Sequence, residues 1–95
     1  MQYIALIHKN TATPPSPDDW VRFLELAKSS GMFQGGSEIG TRSVLGKQGV
    51  PDSTTSIGGF MRFDCEDKEA LETLLREHPV IKHGGSIELC EMPKS

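Results

Sequence analysis

The order of elements in this 95-residue chain predicts an α+β fold. It is a ferredoxin-like βαββαβ plait, a four-stranded antiparallel sheet with two helices on one face. Two observations predict it. The second half reads as a strand (57–64), a helix (66–78) stopped by Pro79, and a strand (86–92), and the first half repeats that order more weakly. The first and third strands are also apolar on both faces, so the side of the sheet away from the helices needs cover. A symmetric second copy supplies it, and a homodimer packed sheet to sheet is expected.

The elements follow in order. In residues 2–8, Tyr3, Ala5 and Ile7 alternate with Ile4, Leu6 and His8, a strand covered on both sides. Residues 10–17 form a loop, because Pro14, Pro15 and Pro17 deny it regular hydrogen bonding. Ser16 is a good N-cap, Pro17 fits the first helical position, and Asp18 and Asp19 suit the positive end of the helix. Trp20, Phe23, Leu24 and Ala27 then make one buried stripe, and Gly31 is the expected left-handed terminator. Met32 and Phe33 return to the core, Gly35-Gly36 marks a turn, and residues 38–45 form a poorer strand. Residues 46–56 are polar and carry Pro51 and Asp52, a hairpin loop or a mobile segment. In the third strand Gly58-Gly59 permits a bulge or a close backbone approach. The second helix turns Ala70, Leu71, Leu74 and Leu75 inward, with Glu72 and Arg76 paired on its wet side. Gly84-Gly85 then turns the chain into the last strand.

Composition narrows the function. Ninety-five residues make one domain, 1–95. A net charge of −3 and a pI near 5.5, with scattered Lys and Arg, argue against nucleic acid, which demands basic clusters. No run approaches a membrane span, and the opening residues read as a strand rather than a signal peptide. Cys65 and Cys90 are expected as free thiols in a reducing cytoplasm. His8, His78 and His83 lack the spacing of zinc ligands, so neither metal nor cofactor is expected.

Three histidines are the candidates for chemistry near neutral pH. His8, at the end of the first strand, is the candidate general base, with Asp52 or Glu88 to orient it. Trp20 could wall a ligand pocket, although its place in the stripe also suits plain core packing. His83, in an exposed turn, and Glu88 complete the expected ligand contacts. His78 reads as structural, its charge suited to a helix C-terminus. Cys90, between Glu88 and Glu91, is a poor nucleophile among acids.

Several motifs together resemble the YCII-related family, also called DGPF-domain proteins. They are Tyr3-Ile-Ala-Leu-Ile-His-Lys-Asn10, the Trp20 helix, Gly31 with Gly35-Gly36, Gly58-Gly59-Phe60, and His78-Pro79 before Gly84-Gly85-Ser-Ile-Glu88. The resemblance covers nearly the whole chain and implies a small dimeric α/β barrel. The chain departs from the family where an Asp-Gly-Pro-Phe-like motif is replaced by Val50-Pro-Asp-Ser-Thr-Thr-Ser-Ile57, in which only Asp52 can stand for the acid. Trp20 stands where the YCII branch carries a helical His, so no His–Asp dyad is implied. Two functions are open: a homodimer binding a small molecule in a cleft, with room for acid–base catalysis, or a non-catalytic protein-interaction or regulatory module.

Overall fold

The structure is a computed structural model and describes residues 1–48 and 54–94. Its strands are β1 (Gln2–His8), β2 (Phe33–Glu38), β3 (Ile57–Asp64) and β4 (Ile87–Met92). Its helices are α1 (Pro17–Ser29), α2 (Lys68–Leu75) and a short α3 (Pro79–Lys82). The strands form one antiparallel sheet in the order β2-β3-β1-β4, the expected ferredoxin-like plait.

The core lies between sheet and helices. Tyr3, Ala5, Ile7, Met61 and Phe63 point from the sheet into Phe23 and Ala27 of α1 and Leu71 and Leu75 of α2. Ala70, by contrast, is exposed. The register puts Leu6 beside Phe60 and Ile4 beside Cys90 on the opposite face. These residues and Met92 are half-buried, and no helix covers them. At 18 Å across its shortest axis the chain has room for one sheet and one helical layer.

Helix α1 starts as its sequence dictates. The Ser16 hydroxyl accepts from the Asp19 amide, and the Asp19 carboxylate accepts from the Ser16 amide, a reciprocal capping box. Gly31 ends the helix at φ 75°. Helix α2 is shorter than the 66–78 expectation because Asp67 caps it, accepting from the amides of Glu69 and Ala70. Pro79 does not simply stop that helix. It opens α3, with His78 as N-cap.

The second strand departs most from the sequence expectation. Gly35-Gly36 lies within β2 rather than in a turn, and residues 39–45 form no strand. The reason is close approach: a Cβ on Gly36 would sit 2.3 Å from the Phe60 carbonyl oxygen, so only glycine lets β2 reach β3. The stretch after β2 is instead fastened by Arg42, whose guanidinium donates to the carbonyls of Thr54 and Ile57. The expected bulge is present, since Ile7 pairs with Gly59 and His8 with Ile57, leaving Gly58 as the extra residue. Among the described residues no helix is long and apolar enough to cross a membrane.

Candidate functional site

Helix α1 does not close fully on the sheet. Between them lies a cavity of about 470 Å³, within the range of small-molecule sites. Trp20 and Leu24 of α1 form its roof. Ile7, Phe33, Gly36, Gly59 and Met61 form its floor, and Val80 of α3 adds a side wall. Polar groups gather at one end, from His8, Lys9, Thr11, Ser37 and Glu38. The stripe that builds the core thus also walls the cavity: Phe23 and Ala27 are buried, while Trp20 and Leu24 are half-buried.

His8 reaches the rim of this cavity where β1 terminates, while the register sets Glu88 opposite Leu6, on the face turned away from the helices. Its Nε2 lies 3.3 Å from Glu88 Oε1 and its Nδ1 lies 3.1 Å from Ser56 Oγ. The carboxylate draws the ring proton to Nε2, leaving Nδ1 to accept from the Ser56 hydroxyl. The result is a hydroxyl–imidazole–carboxylate relay able to take a proton from a hydroxyl at Nδ1. The Glu88 side chain is 62% exposed, so this pair orients the ring more than it stabilises the fold.

The structure therefore brings His8 and Glu88 together, with Trp20 on the wall of the same cavity. Asp52 lies outside the described residues. His83 is not as exposed as its turn suggested. It is half-buried and away from the cavity lining, bonded through Nε2 to Asp19 at 3.0 Å and through Nδ1 to Thr13 at 2.8 Å. The Asp19 pKa is lowered by the Ser16 amide and then by His83.

His78 also departs from expectation. It is fully buried rather than a charge at a helix end. Its ring sits edge-on to Trp20, with centroids 5.0 Å apart, and tilted against Phe23 at 4.6 Å. Nδ1 accepts from the Val80 amide at 3.1 Å, so the neutral ring carries its proton on Nε2, which has no acceptor among the described residues. Burial pushes its pKa down to about 4. The ring is uncharged at neutral pH, and it backs the tryptophan that roofs the cavity. Cys65 and Cys90 are both free, and among the described residues no cluster of His, Cys, Asp or Glu could hold a metal.

Fold and site together define an α+β plait with a mostly apolar cavity under its first helix and His8 on its lining. A solved structure of the same fold is 5-chloro-2-hydroxyhydroquinone dehydrochlorinase (TftG) from Burkholderia phenoliruptrix AC1100, in complex with 2,5-dihydroxybenzoquinone. The match has a TM-score of 0.57 and 12% identity, over 100% of this chain and 96% of that chain. At that identity the likeness shows the fold alone. No protein-family model matches the chain, and no curated protein does.

Proposed function

We propose that the chain is a YCII-related-like protein that works as a homodimer. It binds a small, planar ring molecule with oxygen groups on its rim beneath α1, and His8 performs acid–base chemistry on that molecule. The observation that carries this reading is the 470 Å³ cavity, whose described lining is mostly apolar, with its polar residues near His8. A flat ring would lie between Trp20 and the sheet, with a hydroxyl or carbonyl directed to the mouth. Glu88 serves as an acid that orients His8. The fold shared with TftG supports the reading at the level of architecture, and the molecule bound there supplies a first probe. The bare, half-apolar sheet face supports the homodimer.

Titration calorimetry with 2,5-dihydroxybenzoquinone tests the binding. Wild-type protein is expected to bind it, and His8→Ala to bind it about tenfold more weakly, the worth of one strong hydrogen bond. Equal affinity in the two proteins would remove His8 from the site. A second reading, a non-catalytic interaction module, draws on Val44 and Leu45, which are 53% and 93% exposed after β2. It predicts a stable protein complex that is lost on replacing Leu45 and untouched by changes in the cavity.

A further inference from the structure

The segment between β1 and α1, residues 9–16, crosses the mouth of the cavity and contributes Lys9, Thr11 and Pro15 to its lining. It is laced to the turn before β4. The amides of Ala12 and Thr13 donate to the His83 carbonyl at 2.8 and 3.4 Å. Asn10 donates to Ser86 Oγ at 3.1 Å and accepts from the Ser86 amide at 2.9 Å. Gly84 sits at φ 86°, and a Cβ there would lie 3.1 Å from that of Ala12, so glycine lets the strap lie flat.

Beyond the Ser16 cap at its end, the His83 side chain joins the middle of this strap to the helix that roofs the cavity. Thr13 Oγ1 is 2.8 Å from His83 Nδ1, and His83 Nε2 is 3.0 Å from Asp19 Oδ2, one residue before Trp20. The Asp19 carboxylate oxygen already belongs to the capping box, which fixes it against α1. The neutral ring donates from Nε2 to Asp19 and accepts the Thr13 hydroxyl at Nδ1, so it bridges two walls without lining the cavity. We infer that His83 is a positioning residue for the cavity: it latches the 9–16 strap to α1 and so controls access to Trp20. The inference rests on reading the cavity as the binding site, but its main test does not need a ligand.

Trp20 is the only tryptophan, so acrylamide quenching of its fluorescence reports how open the cavity is. His83→Ala is expected to raise the quenching constant several-fold. His83→Gln is expected to restore it, because its amide offers an N–H to Asp19 and a carbonyl to Thr13. Leu75→Ala, in the core but outside the cavity, should lower the melting temperature and leave quenching unchanged. Wild-type quenching in His83→Ala would overturn the latch, as would an equal rise in Leu75→Ala. In calorimetry with 2,5-dihydroxybenzoquinone, His83→Ala should bind several-fold more weakly than wild type. Absence of binding by the wild type would count against the cavity reading and leave the quenching result to decide the latch.

Discussion

Acidification from pH 7 to pH 4 is expected to remove about 3 kcal/mol of stability through His78 alone. The imidazole is fully buried, and desolvation lowers its pKa from 6.5 to about 4. In the unfolded chain the same ring takes up a proton below pH 6.5. Between those two values the unfolded state therefore binds more protons, and stability rises with pH. The contribution is complete above pH 6.5 and is lost as the pH falls towards 4. Asp19, whose pKa is also lowered, adds a further loss in the same direction, but only below the ordinary aspartate range.

Urea unfolding of wild type and His78→Asn at several pH values isolates the effect. Asparagine keeps an oxygen to accept from the Val80 amide, so α3 stays capped. It removes the titration and the ring between Trp20 and Phe23. The variant should be weaker at pH 7, with a flatter profile between pH 6.5 and 4. Parallel profiles for the two proteins would show that His78 does not titrate as its burial demands.

The second large effect concerns the uncovered sheet face. Leu6→Asp is expected to turn a dimer into a monomer. Leu6 lies on a central strand between Phe60 of β3 and Glu88 of β4, with Ile4 and its partner Cys90 next along the same face. A carboxylate at the centre of a face-to-face sheet interface would have to be buried without a counter-charge, at a cost of several kcal/mol from each copy. Light scattering after gel filtration should give about twice 10.4 kDa for the wild type and about 10.4 kDa for the variant. Because assembly and folding are linked, the variant should also melt earlier, and its melting point should no longer depend on concentration. A variant that remained dimeric would move the interface elsewhere on the molecule.

Much of this architecture was legible because it is local. The spacing of Trp20, Phe23, Leu24 and Ala27 determines which side of α1 faces the sheet, and Ser16-Pro17 marks where it begins. What was not legible depends on residues far apart in the chain. Gly35-Gly36 resembles a turn until the Phe60 carbonyl, contributed by another strand, is seen to demand glycine. His78 resembles a solvated helix end until Trp20 and Phe23 close over it from α1. The Pro79 that follows it did carry a signal, since proline suits the first turn of a new helix as well as the end of an old one. At the site, His8 and Glu88 could be suspected from their places on two strands. The Thr13–His83–Asp19 bridge could not, because it spans 70 and 64 residues.

The cavity beneath α1 is proposed to hold a small molecule in a dimeric protein. Native mass spectrometry of the gently purified chain tests it most directly, because one spectrum reports both assembly and retained mass. A dimer is expected that gains one molecule of 2,5-dihydroxybenzoquinone per chain when the compound is added, and gains markedly less when Trp20 is replaced by alanine. A monomer, or a dimer to which the compound never adds, would contradict it.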